Sequence, residues 1–170
     1  MNLRRPVSVA ACILCFAAVC TAQTSGAWVV RYDGVGPVQI GMTLDQLSAT
    51  LHEKLTEDES GSDSCFYVHA RSHDHLAFMI EDGCVSRVDV DAPGIRTFAG
   101  IQVGDSEAHA RRVYGTKMEV TEHQYIDTGH YLTLRSADGR HGVRFETDKG
   151  KIASFCAGTY ESIQYVEGCL

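Results

Sequence analysis

The chain has 170 residues, of which 44% are hydrophobic, 22% charged and only 3 proline; this balance excludes intrinsic disorder, a collagen-like repeat and a polytopic membrane protein. Its 15 basic and 22 acidic residues give a net charge of −7, which makes nucleic acid a poor partner and a cationic one a better fit. Neither figure names a reaction.

At the N-terminus Arg4 and Arg5 precede an apolar run from Val7 to Val19, followed by Cys20-Thr21-Ala22. This is the order of a charged region, an apolar region and a small-residue cleavage site in an export signal spanning 1–22. The run is shorter than the roughly 20 residues that span a bilayer, and Val19 stands where a lipid-attachment signal has a small residue before its Cys. The expectation is a periplasmic or secreted bacterial protein without a stable membrane anchor, beginning near Gln23. Two of the 15 basic residues leave with the signal and all 22 acidic ones stay, so the net charge becomes −9. Cys12, Cys15 and Cys20 also leave. Cys65, Cys84, Cys156 and Cys169 remain, an even number with no C-x-x-C pair, which predicts two disulfides and no free thiol. The favoured pairing is Cys65 with Cys169 and Cys84 with Cys156; Cys65 with Cys84 and Cys156 with Cys169 is the rival.

Along the chain, Thr43 and Gln46 have the form of a capping box, and Leu44, Leu47 and Leu51 recur at helical spacing, predicting a helix over 43–52. The charge run Glu57, Asp58 and Glu59 reads as a solvated loop. The period then changes to two: Phe66, Val68 and Ala70, then Leu76, Phe78 and Ile80, then Val88 and Val90 mark three strands. Ser106 caps a second helix with Ala110, Val113 and Tyr114 as its apolar stripe and Gly115 as its end. Leu132 and Leu134, then Val143 and Phe145, mark further strands. Glu81-Asp82-Gly83, Ala137-Asp138-Gly139 and Asp148-Lys149-Gly150 supply tight reversals between antiparallel neighbours.

Val38-Gln39-Ile40-Gly41-Met42-Thr43 matches Ile101-Gln102-Val103-Gly104-Asp105-Ser106, and Phe78 to Val85 resembles Phe145 to Ile152. Two matches in the same order predict a duplicated unit, 23–96 and 97–170, each a helix followed by an antiparallel meander. The fold class is α+β, with helices on one face of the sheet and the other face open. The Ile40-Gly41-Met42-Thr43 turn into a helix, its copy at Val103-Gly104-Asp105-Ser106 and the duplication together resemble the BamE-like and β-lactamase-inhibitory-protein-like architecture of bacterial envelope and secreted proteins. That resemblance implies a binding role, as an inhibitor or immunity-type protein, or an accessory role in envelope assembly. The inhibitory proteins have two helices per unit, whereas 53–64 is too polar for a second helix, so no interface residue is carried over by position.

By strand parity the open face presents Tyr67, His69, Met79, Arg87, Asp89, Tyr131, Thr133, Arg135, Arg144 and Glu146. Tyr and Arg are the types that dominate binding hot spots, so this face is the expected site for another protein, a cationic one by charge. The alternative is ordinary outward positions paired across strands. His69, His73 and His75 around Asp74 have the chemistry of metal ligands, but at this short spacing without a second ligand block they read first as a polar hairpin with solvated histidines. No nucleophile elbow, phosphate-cradling loop or poised carboxylate pair accompanies them, so the expectation is a non-enzymatic binding module without a cofactor.

Overall fold

The computed structural model describes residues 28–169; the export signal and its cleavage site lie outside them. Three short strands, β1 (Val29–Arg31), β2 (Gly34–Val35) and β3 (Val38–Gln39), lead into helix α1 (Leu44–Leu51). Then come β4 (Thr56–Ser62), β5 (Cys65–His69), β6 (Leu76–Glu81), β7 (Cys84–Val90) and β8 (Arg96–Thr97). Helix α2 (Glu107–Tyr114) precedes β9 (Met118–Glu122), β10 (His130–Arg135), β11 (His141–Asp148) and β12 (Lys151–Thr159). Over the described residues the protein is thus mixed α+β, mostly sheet, with two short helices.

The strands form two sheets. The larger has eight strands in the order β4-β5-β6-β7-β12-β11-β10-β9, and the smaller has four in the order β3-β2-β1-β8. In the larger sheet two runs of consecutive antiparallel strands meet where β7 pairs with β12, Cys156 opposite Asp89 and Gly158 opposite Arg87. The smaller sheet has no counterpart in the expected pattern, because its strands are too short to show a period of two. Its parallel pair joins Val30 to Thr97, so the expected boundary between 96 and 97 falls inside β8.

Local chemistry sets the ends of the elements. Thr43 Oγ1 accepts from Gln46 N at 3.3 Å while Gln46 Oε1 accepts from Thr43 N at 2.9 Å, closing the capping box. Ser106 caps α2 with one half of that pattern, its Oγ accepting from His109 N at 3.2 Å. The expected stripe of α2 shifts by one position: Ala110 and Tyr114 are buried, but Val113 is exposed and Glu107 takes the inner place. Glu107 tolerates burial because Arg111 Nε, Thr147 Oγ1 and His130 Nδ1 surround its carboxylate. Those bonds outweigh its desolvation and hold its pKa below the ordinary value. Asp82 and Gly83, and Lys149 and Gly150, all have positive φ, the two-residue pattern of a tight hairpin whose twist matches its strands.

Positions related by the sequence match make the same contact twice. Gly41 N donates to Val85 O at 2.7 Å and Val85 N to Met42 O at 2.8 Å; Gly104 N donates to Ile152 O at 2.8 Å and Ile152 N to Asp105 O at 2.9 Å. Each pair ties the turn before a helix to the first residues after a hairpin. Leu47, Ala110 and Tyr114 then pack with Phe78, Val88, Leu132, Phe145 and Phe155 in the main core on one face of the large sheet. The run Glu57, Asp58 and Glu59 is not a loop but part of β4 at the sheet edge, with a register shift between Glu57 and Gly61. Charged side chains at an edge suit it, since they discourage pairing with another chain.

One expected disulfide is present and the other is not. Cys65 and Cys169 are bonded across 104 residues with a Cα–Cα distance of 5.3 Å, which is compatible with a secreted protein. Cys84 and Cys156 are free thiols. Cys156 pairs in register with Asp89, five residues along β7 from Cys84 and therefore roughly 16 Å from it at about 3.3 Å per residue, well beyond disulfide reach. Among the described residues no helix is long and apolar enough to cross a membrane.

Candidate functional site

The face of the large sheet opposite the helices carries the side chains expected there, but it is not open. Met79 is 0%, Tyr131 3%, Arg87 7%, Thr133 8% and Arg144 9% exposed. Over Arg87 and Arg144 the cover is the segment after β12, residues 160–169, and over Tyr131 it is His123 from the β9–β10 loop. The segment leaves the sheet through a 3-10 turn at Ser162–Gln164 and returns to β5, where Cys169 bonds Cys65. An outward strand position is exposed only if nothing crosses it, and here a segment without sheet pairing does.

The two arginines hold that segment by its main chain. Arg87 Nη1 donates to the carbonyls of Ser162 and Tyr165, both at 3.0 Å, and Arg144 Nη1 to those of Ile163 and Gln164, both at 3.2 Å. Arg87 also donates from Nη2 to Tyr67 Oη at 2.5 Å and from Nε to Asp89 Oδ2 at 3.0 Å. Arg144 lies over the Tyr131 ring, 3.8 Å from its centroid, in cation–π geometry. His123 stacks on the same ring at 4.3 Å, and its Nε2 is 3.3 Å from Glu146 Oε2. At the end of the segment Gly168 lies so close to Tyr67 that a Cβ there would come 2.8 Å from its hydroxyl.

Electrostatics within this layer follow from burial. Desolvation raises the Asp89 carboxyl above its ordinary range, against the lowering effect of Arg87, and Glu146 raises it further. Cys156 lies in the same row, where burial pushes its thiol up to about 12; the thiol stays protonated near neutral pH and has little nucleophilic character. Two carboxylates nevertheless keep access to solvent, with side chains 30% (Asp89) and 37% (Glu146) exposed. Two buried polar atoms, Tyr131 Oη and Arg144 Nε, have no hydrogen-bond partner among the described residues. Unsatisfied buried groups are rare in native proteins, and these two belong to stacked side chains.

The remaining expected residues lie at the margins. Tyr67 is half-buried beneath the segment. Arg135 is exposed, its guanidinium 4.0 Å from the Tyr160 ring centroid. The histidines do not converge: His69 pairs with Asp58 at 3.0 Å, His73 packs against Trp28 in a tilted arrangement with ring centroids 3.7 Å apart and His75 is near Asp74 and Asp91. Among the described residues no group of three or more His, Cys, Asp or Glu could hold a metal ion. Sequence reasoning missed the covering segment and the orphaned pair. The signal for the first was Cys169: a bond to Cys65 requires the chain end to return to β5.

No family model matches the chain, and neither the curated proteins nor the solved structures yield a match.

Proposed function

We propose that this chain is an exported, non-enzymatic binding module that captures another protein, of basic character, on the sheet face opposite its helices. The observation that carries the reading is the orphaned pair Tyr131 Oη and Arg144 Nε, beside the part-exposed carboxylates Asp89 and Glu146. Once residues 160–169 give way, a loop of a basic protein would offer main-chain carbonyls to the first pair and an ammonium or guanidinium group to the second. The net charge of −7 favours encounter with such a partner. The recurring hydrogen-bond pair at Gly41/Val85 and Gly104/Ile152 supports a duplicated helix-plus-meander unit of the BamE-like or inhibitory-protein-like kind, and the Cys65–Cys169 bond supports export.

The test is capture from a bacterial envelope extract, comparing the wild type with Asp89→Asn/Glu146→Gln. The bound protein should be lost from the double variant, or held roughly tenfold more weakly, and its wild-type binding should weaken as salt rises. Equal capture by both forms, or binding insensitive to salt, would remove the site from this face.

A further inference from the structure

We propose that the Cys65–Cys169 disulfide is a reducible clasp, and that its reduction releases residues 160–169 and uncovers the arginine-bearing face beneath. The inference concerns regulation of the site proposed above and rests on that reading. Three observations carry it.

The first is that polar ties, more than apolar packing, hold the segment besides the disulfide. Among its side chains only Ser162 and Ile163 are buried, and the rest are half-buried or exposed. Its other ties include the bonds from Arg87 and Arg144 to its carbonyls, that from Ser162 to Glu81 at 2.5 Å, that from Tyr125 to Glu167 and that from Tyr160 N to Arg140 O at 2.8 Å. The second is accessibility. Cys65 and Cys169 are half-buried and line a surface cleft of about 520 Å³ with Gly61, Ser62, Glu81 and Tyr165. A disulfide that lines a surface cleft offers an attacking thiolate a path to its sulfurs, and access is one of the conditions for exchange. The third is that the face reads main chain. Four carbonyls in one short turn accept from Arg87 Nη1 and Arg144 Nη1, so any segment presenting carbonyls in that arrangement could take the place of this one.

Reduction balances with a dithiol as reductant. One of its thiolates attacks a clasp sulfur, the S–S bond breaks, and the other clasp cysteine leaves as a thiolate and takes a proton. The second thiolate of the reductant then attacks the mixed disulfide, freeing the remaining cysteine as a thiol. Two electrons and two protons pass to the chain, and the reductant leaves as a cyclic disulfide. Once the segment departs, Arg87 and Arg144 lose its carbonyl acceptors and Tyr67 loses the contact with Gly168. The result is a surface on which the guanidinium groups of Arg87 and Arg144 stand beside the carboxylates of Asp89 and Glu146. The free thiol Cys84 lies across β6 from Cys65, both being paired with Glu81, so the test is run in a C84S background to prevent exchange.

Full-length C84S protein, oxidised or reduced with dithiothreitol, is compared by hydrogen exchange and by binding of a labelled synthetic peptide of residues 160–169 carrying C169S. On reduction, amides of 160–169 should exchange roughly tenfold faster or more while those of β7 and β12 keep their protection. The peptide should bind the reduced form at least about tenfold more tightly than the oxidised one. Unchanged exchange in 160–169, loss of protection throughout the sheet, or a reduced dimer formed by exchanged C-terminal segments would each overturn the clasp. Release without peptide binding would overturn the gating of the face. Neither arm uses the basic partner, so failure here is distinct from equal capture by Asp89→Asn/Glu146→Gln.

Discussion

Replacing Tyr131 with Phe should stabilise the protein, and replacing it with Ala should cost as much as a deletion in the main core. The Tyr131 ring is 3% exposed and lies between Arg144 and His123, while its hydroxyl is buried without a partner among the described residues. An unsatisfied buried hydroxyl costs about 1–3 kcal/mol, so Phe should recover about 1 kcal/mol, or about 3 °C in Tm for a domain of this size. Ala removes the ring and its stacking partners' contacts, a loss of about 3–5 kcal/mol. Leu132→Ala, at a 0% exposed position on the opposite face, should lose about 2–5 kcal/mol.

Urea denaturation at constant m-value separates these outcomes. Comparable losses at the adjacent positions 131 and 132 are the signature of a sheet covered on both faces. Were the second face open, Tyr131→Ala would change stability by less than about 1 kcal/mol. A loss of 1 kcal/mol or more in Tyr131→Phe would refute the argument, because it would show that the hydroxyl is satisfied. The same variant should bind the basic partner more weakly by about 1 kcal/mol, so stability and binding should move in opposite directions.

Gly158→Ala should destabilise by about 3 kcal/mol, measured by the same titration, because its Cβ would run into Ser86 O and come 2.8 Å from Arg87 Cα where β12 meets β7. Glu107→Gln should lose about 2 kcal/mol at pH 7. The carboxyl's folded pKa is lowered from 4.5, so its contribution is present above that pH and lost as pH falls through the folded value; the gap between variant and wild type should close in acid. In the native protein a thiol reagent should modify half-buried Cys84 readily and leave Cys156 unmodified until denaturant is added, since Cys156 is buried and its pKa is pushed up to about 12. Thr43→Ala should cost about 1 kcal/mol by opening the capping box.

What could be read in advance was local or periodic. The box at Thr43 and Gln46, Gly115 at the end of α2, the hairpin glycines and the alternation along β6, β7, β10 and β11 each depend on neighbours a few residues away, and each stands where expected. The identities of the inner and outer residues at Leu132 and Tyr131 were also legible. What alternation cannot report is whether the outer row meets water, because that depends on the path of another segment. Residues 160–169 have no period of their own and are placed by Arg87, Arg144 and Cys65, all distant in sequence. Val113 falls outside the expected inner stripe of α2 for a related reason: Glu107 takes the inner place, its burial made tolerable by Thr147 and His130 from other strands. The free thiols reflect register: pairing of β7 with β12 puts Asp89, not Cys84, opposite Cys156.

Covering a sheet face with a segment held by guanidinium groups is not the most stabilising solution. Apolar side chains of similar volume at Arg87, Asp89 and Arg144 would pack against Met79 and Ile163 without the desolvation of three charges, and such replacements are often neutral or favourable. The structure instead spends Arg87 on two carbonyls, a carboxylate and a phenol, and leaves Arg144 Nε and Tyr131 Oη with no partner among the described residues. An interface held only for stability gains nothing from orphaned donors. One that exchanges one carbonyl-bearing segment for another does, because polar pairs re-form with a new partner, whereas an apolar layer adheres with little regard to what covers it. The chemistry of this face therefore suits a surface made to be uncovered and reused, with the single disulfide at the end of the covering segment setting when that occurs.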